Sequence, residues 1–128
     1  GFGPMTFAPP PIQTPRIPIW VVGAWPHERS MRRVLRFDGI VTQTERPEDV
    51  RAIAEYVARE RPPKLRDRPF EIVAQGKTRP DDADATAVVR RFHDAGATWW
   101  IDADWEGATD ESLRRRILAG PPRLPAAP

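Results

Sequence analysis

The sequence predicts an α/β fold in which four strand and helix units follow one another along the chain. Short apolar runs typical of strands alternate with segments whose apolar residues recur every three or four positions, the period of a helix. The first apolar run is apolar at every position, as expected of a parallel strand that is covered on both faces. The strands do not stand together in one stretch, as they would in a β-sandwich. These observations favour repeated βα units and a parallel sheet.

The first unit is a strand from Ile17 to Gly23 followed by a helix. Pro18 stands near the start of this strand, where proline is tolerated, and Pro26 suits the first turn of the helix. The apolar stripe expected to be buried on this helix consists of Met31, Val34 and Leu35. The second unit has a short strand over 39–41 and a helix after Pro47, with a stripe at Val50, Ile53, Ala54 and Val57.

The third and fourth units repeat this pattern. A strand from Phe70 to Gly76 precedes a helix that ends at Gly96, with a stripe at Ala85, Val88, Val89 and Phe92. The fourth strand covers 97–101, and Thr109 opens a last helix carrying Leu113 and Ile117. Trp99 and Trp100 are adjacent in this strand, so one should point to the inner face and the other towards the helices, and packing is expected for both.

Proline divides the chain into three parts. Residues 1–16 form an extended, proline-rich lead-in, residues 17–119 hold the four βα units, and residues 120–128 form a proline-rich tail. A closed eight-stranded β/α barrel takes about 250 residues, and half of one fits the 128 residues of this chain. The start at Gly1 instead of Met gives the expectation of a chain truncated at its front. A small open parallel sheet is the alternative architecture.

Composition excludes several classes of protein. The 128 residues contain no cysteine and two histidines, which excludes a disulfide framework, a cysteine nucleophile and a multi-histidine metal centre. Lys and Arg total 20 against 18 Asp and Glu, a net charge of +2, and the two signs are interleaved along the helices. A nucleic-acid partner is therefore not expected. The absence of a membrane-length apolar run and of a signal peptide predicts a cytoplasmic chain without a membrane partner.

Four stretches together resemble a known enzyme family. They read FAPPPIQTPRIPIW over 7–20, FDGIV over 37–41, AGATWWID over 95–102 and AGPPR over 119–123. In this order they resemble the C-terminal half of a luciferase-like, LLM-class flavin-dependent oxidoreductase of the monooxygenase type. The resemblance implies a TIM (β/α)₈ barrel with the flavin at the carboxyl ends of the strands, of which this chain holds the last four βα units. The absent half would supply much of the isoalloxazine pocket, so no activity is expected from this fragment alone.

A phosphate site is expected at the carboxyl ends of the first two strands. Gly23 and Ala24 lie between a strand and a proline-started helix, where free amides and the positive end of the helix dipole suit a phosphate. By the residues alone, Gly23 equally fits a plain turn, and Thr44 a helix cap. The resemblance implies that these loops hold the phosphate of FMN or, alternatively, of the deazaflavin coenzyme. The residues it assigns to cofactor binding are Gly23, Ala24, Trp25, Thr42, Gln43 and Thr44. No catalytic residue or metal ligand is assigned.

Lys77 is a further candidate for contact with a phosphate. Gly76, Lys77 and Thr78 lie between a strand and a helix, as in a nucleotide P-loop, but that motif needs a glycine where Glu71 stands. The P-loop interpretation therefore fails. Lys77 can still approach a phosphate from the carboxyl end of its strand, although a solvated loop lysine is the favoured interpretation.

The acidic residues after the fourth strand imitate the start of a calcium loop. Asp102, Asp104, Glu106 and Gly107 have the alternating pattern, but Leu113 occupies the position of the bidentate glutamate. A strand, and not a helix, precedes them. Calcium is therefore not expected, and a polar loop at the mouth of the barrel is the favoured interpretation.

The expected partners follow from the resemblance and from the half-barrel architecture. Besides the flavin, a flavin reductase that supplies reduced flavin is a candidate partner, and the open half barrel should pair with the missing N-terminal half or form a homo-oligomer. Two alternatives remain at this point. One is a stand-alone α/β binding or interaction module without redox activity, and the other is an incomplete translation product without a function of its own.

Overall fold

A computed structural model describes residues 3–5, 8–9, 12–78, 84–105 and 107–121. The strands are β1 (Trp20–Gly23), β2 (Gly39–Thr42), β3 (Glu71–Gly76) and β4 (Trp99–Asp102). The helices are α1 (Glu28–Val34), α2 (Pro47–Glu60), α3 (Ala85–Asp94) and α4 (Asp110–Ala119), with a 3₁₀ turn at Pro63–Leu65. Strand and helix alternate throughout, as the sequence predicts.

The four strands form one parallel sheet in the order β1-β2-β3-β4. Neighbours in sequence are therefore neighbours in space, which is the strand order of consecutive βα units in a barrel. The predicted α/β class with a four-stranded parallel sheet is confirmed, and the arrangement is compatible with half of a β/α barrel. β1 and β4 each pair with a single strand within the described part of the chain.

Two strands begin later than their apolar runs. β1 begins at Trp20, because Pro18 has no amide and the amide of Ile19 donates to Asp38 Oδ2 at 2.8 Å. β4 begins at Trp99, because the amide of Ala97 donates to the carbonyl of Phe92 at 3.0 Å and closes the end of α3. Local hydrogen bonds at the entry to each strand thus replace the first sheet bonds.

One face of the sheet carries α1, α2 and α3. The stripes predicted for α1 and α2, with Val88 and Phe92 from the stripe predicted for α3, meet Ile40, Ile72 and Ala74 of the sheet in one hydrophobic core. At Gly23 the packing leaves no room for a side chain, since a Cβ there would lie 2.5 Å from Ile40 Cδ1 and 2.8 Å from Val34 Cγ2. The close approach of α1 to β1 explains why this position is glycine.

The opposite face of the sheet is apolar and is exposed along its outer strands, while Val73 of the inner strand β3, on the same face, is fully buried. We call the set of Trp20, Val22, Trp99 and Ile101 the open face; these side chains are 37%, 49%, 53% and 42% exposed. The rings of Trp20 and Trp99 meet across this face with centroids 5.4 Å apart. Trp99 therefore points to the open face, while its neighbour Trp100 packs against Phe92 of α3. The prediction that the two tryptophans point to opposite faces is confirmed.

α4 is attached by polar contacts and not by an apolar stripe. Thr109 caps its start in a reciprocal capping box with Ser112. Leu113 and Ile117, the apolar residues that the sequence places on this helix, are 44% and 77% exposed. Arg116 joins the helix to the sheet through an ion pair with Asp102.

The two proline-rich ends are described only in part. Residues 12–16 of the lead-in and residues 17–19 after it form neither helix nor strand, as expected of an extended segment. In the lead-in, residues 1–2, 6–7 and 10–11 lie outside the described residues. In the predicted tail, residues 122–128 do. Arg16 is anchored, because its Nη1 atom donates to Asp38 Oδ2 at 2.6 Å.

Candidate functional site

A cleft of about 630 Å³ opens at the carboxyl ends of β2, β3 and β4. Parallel strands all end at the same edge of a sheet, so the loops that follow them are brought together there. The cleft is lined by Gln43, Thr44, Glu45, Gln75, Gly76, Lys77, Val88, Phe92, Trp100, Ala103 and Trp105. It is the candidate functional site of the described part of the chain.

The floor of the cleft is apolar and fixed. Trp100 packs on Phe92, with ring centroids 5.1 Å apart, and Val88 of α3 continues this surface. The indole of Trp100 also covers Gly76, where a Cβ would lie 2.7 Å from Trp100 Cη2. An apolar floor with a few polar groups at the rim is the usual composition of a small-molecule site.

The rim carries one lysine paired with a carboxylate. Lys77 Nζ lies 2.5 Å from Asp104 Oδ1, and the two side chains keep 57% and 41% of their exposure. Both groups are therefore in contact with water, and an exposed pair of this kind contributes little to stability. The ammonium group remains accessible to an anion that enters the cleft.

A buried hydroxyl group organises the wall behind this lysine. Thr78, 3% exposed, donates from Oγ1 to Asp102 Oδ2 at 2.8 Å, and its amide donates to Asp102 Oδ1 at 3.2 Å. The same hydroxyl oxygen accepts from Trp100 Nε1 at 3.4 Å and from Arg116 Nη2 at 3.4 Å. These bonds hold the Trp100 ring and α4 in place, so the wall is rigid. Thr78 and Asp102 therefore serve the structure of the cleft.

Two of the six predicted cofactor-binding residues line the cleft. Gln43 is exposed at its rim. Thr44 also lines it, but its hydroxyl donates to Asp49 Oδ2 at 2.7 Å and accepts from the amide of Arg46 at 3.1 Å. The hydroxyl of Thr44 thus bonds to the segment that enters α2, but the N-cap of this helix is Arg46 and not Thr44. Gln43 keeps its side-chain amide available to a ligand.

The other four predicted residues have partners within the fold. The space beside Gly23 is filled by Ile40 and Val34, and the amide of Ala24 donates to Ser30 Oγ at 3.0 Å. α1 has only seven residues, so its dipole is short. The loop after β1 therefore offers a phosphate fewer donors than its sequence indicates.

Trp25 and Thr42 are likewise engaged elsewhere. Trp25 packs edge-on against Tyr56 of α2, with ring centroids 5.7 Å apart, and joins the hydrophobic core. Thr42 is fully buried, and its hydroxyl donates to the carbonyl of Val73 at 3.1 Å. The sequence shows only that Thr42 ends an apolar run, whereas its orientation towards the neighbouring strand depends on the sheet.

Among the lining residues that sequence reasoning missed, which include Glu45 and Gln75, Trp105 is the largest. It follows β4 by three positions and lies at the rim, 80% exposed. Its position after a strand, beside the alternating carboxylates, is the signal that identifies it in retrospect. Glu106, the third carboxylate considered at this loop, lies outside the described residues. Within the described part, no three His, Cys, Asp or Glu side chains form a group that could hold a metal ion.

Two groups of the described chain with a shifted pKa, Asp38 and Arg61, lie at the opposite, amino end of the sheet. Burial raises the pKa of Asp38, but hydrogen bonds from the Ile19 amide and Arg16, with the charges of Arg16 and Arg68, outweigh it and hold this pKa below its ordinary value. Burial and the charge of Arg68 lower the pKa of Arg61, against the effect of Asp38. These contacts fix the entry to the strands and are far from the cleft.

Comparisons with known proteins identify no relative. No protein-family model matches the chain, and no curated protein or solved structure matches it significantly. In the part of the chain that the structure describes, none of the helices combines the length and apolar character needed to cross a bilayer. The site must therefore be interpreted from its own geometry.

Proposed function

We propose that the cleft binds the phosphate-bearing end of a flavin, and that the chain is the cofactor-phosphate side of a luciferase-like flavin-dependent oxidoreductase barrel. The observation that carries this proposal is the accessible Lys77 ammonium group at the rim of an apolar cleft, at the carboxyl edge of a parallel sheet. In β/α barrels, active sites are found at this edge, and phosphate sites often lie at the loops after the last two strands.

The size and lining of the cleft support a cofactor-sized ligand. Its volume of about 630 Å³ lies within the 300 to 1,000 Å³ or so that is usual for small-molecule sites. The walls combine aromatic surface with Gln43, Gln75 and Lys77. Of these, the amide of Gln75 is directed inward, since its Nε2 atom donates to the carbonyl of Thr42 at 3.2 Å. Lys77 and Gln43 are therefore the groups assigned to the phosphate.

The residues present fit a phosphate at the cleft better than at the loop after β1. The amide of Ala24, in the loop after β1, already donates to Ser30 Oγ, whereas the side chains of Gln43 and Lys77 at the cleft are exposed. A bound flavin would supply the electron transfer, and this chain would bind and orient it. FMN is the first choice and the deazaflavin coenzyme the alternative, because both carry a phosphate.

The activity belongs to a complete barrel in this proposal. The four described strands would be completed by four more βα units, from the missing half or from a second copy, and a flavin reductase would deliver reduced flavin. The cytoplasm is the compartment proposed for such a system. No residue of the described chain is required as a catalytic acid or base.

A titration with two flavins tests the phosphate assignment. FMN and riboflavin share the isoalloxazine ring and differ in the phosphate, so the chain should bind FMN more tightly. Lys77→Gln should remove most of this preference, a loss of roughly tenfold, because a charge-assisted bond to the phosphate is lost. The matched control is Lys64→Gln, which changes an exposed lysine outside the cleft. Equal affinity for FMN and riboflavin in the unmodified chain would contradict the assignment.

The open face favours a second candidate function, a stand-alone interaction module without redox activity. Four large apolar side chains exposed on one face of a sheet are typical of a surface that binds another protein. In that case neither flavin would bind, and the chain would form a stable complex through the open face. Flavin titration therefore separates the two proposals.

A further inference from the structure

Trp105 is placed differently from every other tryptophan of this protein. Each of the other four has an aromatic neighbour: Trp20 with Trp99, Trp25 with Tyr56, and Trp100 with Phe92. Trp105 has no ring contact or hydrogen bond in the described part of the chain, and it is 80% exposed at the rim of the cleft. An indole that lies open to water beside a cleft presents a flat apolar surface to whatever enters it.

The neighbouring residue ties this indole to the phosphate-binding end of the cleft. Asp104 precedes Trp105 directly and forms the ion pair with Lys77, which brings the loop after β4 to the loop after β3. The indole and the ammonium group are therefore on adjoining parts of one rim. This arrangement matches a ligand that has a planar ring at one end and an anionic group at the other.

We infer that Trp105 stacks on the planar aromatic ring of the ligand, while Lys77 binds its anionic group. This inference deepens the proposed function and rests on it for the identity of the ligand. Trp100 does not compete for the ring, because Phe92 and Gly76 cover it and its Nε1 atom is bonded to Thr78. Trp105 is the indole of the cleft whose face remains free for stacking.

The test separates the ring from the phosphate. Riboflavin and FMN are titrated into the full chain and into Trp105→Leu, with binding followed by quenching of the flavin fluorescence. Leucine keeps an apolar side chain but has no aromatic face. Stacking of a planar base on an aromatic residue contributes about 1 to 3 kcal/mol, so the affinity for both flavins should fall by the same factor, roughly five-fold to over a hundred-fold. Trp105→Phe should restore part of the affinity.

The matched control is Trp99→Leu, which removes an exposed tryptophan from the open face and should leave both affinities unchanged. Far-ultraviolet circular dichroism checks that each variant is folded, as expected for a side chain that is mostly exposed. Unchanged binding of both flavins in Trp105→Leu overturns the stacking role while the proposed function stands. Trp105-dependent binding without a preference for FMN supports stacking and contradicts the phosphate assignment. If neither flavin binds, both are overturned.

Discussion

The two faces of the sheet have similar apolar residues and opposite surroundings. On the covered face, Ile40 and Ala74 are fully buried beneath the helices. On the open face, Trp20 and Trp99 of the outer strands are more than one-third exposed, whereas Val73 of the inner strand β3 is fully buried. The sequence pattern, apolar at successive positions, is typical of strands covered on both faces. The comparison teaches that the apolar residues of the outer strands need a second layer to be buried, and that an apolar run does not by itself ensure burial on both faces.

The open face is compatible with the interior of a β/α barrel. Its side chains alternate with those that meet the helices, and both outer strands lack a second neighbour in the described chain. One carbonyl of the outer strand β1 is covered within the fold, because Arg33 Nη2 donates to the carbonyl of Val22 at 2.7 Å. A flexible arginine is a weak cover compared with a paired strand. The open face is thus the region where we expect association.

The largest difference between the faces should appear on truncating one isoleucine from each. Ile40→Ala, on the covered face, should lower the free energy of unfolding by about 2 to 5 kcal/mol, because it leaves a cavity under the helices. Ile101→Ala, on the open face, should cost well under half as much, since this side chain is already 42% exposed. Urea unfolding followed by circular dichroism measures both. Equal losses would show that the open face is covered in solution.

At low pH, the segment that precedes β1 should lose its hydrogen bonds to Asp38, while the packing of the helices on the sheet stays unchanged. Asp38 holds the amide of Ile19 and the guanidinium of Arg16, and its pKa is below the ordinary value of 3.8. The folded state therefore binds this proton more weakly than the unfolded state does. The stabilisation is present above the ordinary pKa and is lost as the pH falls through the lowered one. Asp38→Ala should cost about 1.5 to 3 kcal/mol at neutral pH.

The pH dependence of this effect is the measurement that identifies its cause. Urea unfolding at a series of pH values between neutrality and pH 2 or so should show a shallower acid loss in Asp38→Ala than in the unmodified chain. Asp67→Asn, an exposed carboxylate in the loop before β3, serves as the control. An identical acid profile in Asp38→Ala and the unmodified chain would count against the assignment.

Gly39 tests whether the open face tolerates extra volume. It lies beneath the Trp20 ring, and a Cβ there would be 2.7 Å from Trp20 Cδ1 and 2.7 Å from the carbonyl oxygen of Glu71. Because the Glu71 oxygen belongs to the backbone, it cannot move aside cheaply. Gly39→Ala should therefore cost about 1 to 3 kcal/mol in thermal or urea unfolding. Gly3→Ala, with nothing within 4 Å of the added atom, should cost almost nothing.

Trp99→Gln should have the smallest effect on unfolding and the clearest effect on association. The variant loses the contact with Trp20, which contributes roughly 0.5 to 1.5 kcal/mol, and removes half of the aromatic surface of the open face. Size-exclusion chromatography with light scattering should show less self-association than in the unmodified chain. Ile12→Gln changes an apolar residue that is 99% exposed but lies in the lead-in, and it should leave association unchanged. A monodisperse monomer in the unmodified chain would refute the expectation for the open face.

Much of the fold was predictable because its determinants are local. The apolar stripe of α2 and the proline at its first turn are set by side chains three or four residues apart, and the structure places this helix at Pro47–Glu60. The opposite directions of Trp99 and Trp100 follow from the alternation of a strand, and they too were predictable. The starts of β1 and β4 were not predictable. The amide of Ile19 donates to Asp38, which is distant in sequence, and the amide of Ala97 donates back to the carbonyl of Phe92 at the end of α3.

The location of the cleft was predicted only in part, since the sequence places the site after the first two strands and the cleft lies after β2, β3 and β4. A parallel sheet brings together the loops at the carboxyl ends of its strands, and the family resemblance had placed Gln43 and Thr44 in one of these loops. Neither the burial of the Thr42 hydroxyl against Val73 nor the pairing of Lys77 with Asp104 is written in any local pattern. Both depend on which strands are neighbours.

The sequence by itself determined the α/β class, the four βα units and the helix faces that form the core, since each depends on periodicity within about a dozen residues. The tertiary structure alone decided that one sheet face stays open, that Gly23 is required by packing, and that Lys77, Trp100 and Trp105 share a cleft. These features arise from contacts between residues that are far apart in the chain. Such contacts form only when the backbone folds and brings those residues together, so no local sequence pattern reveals them.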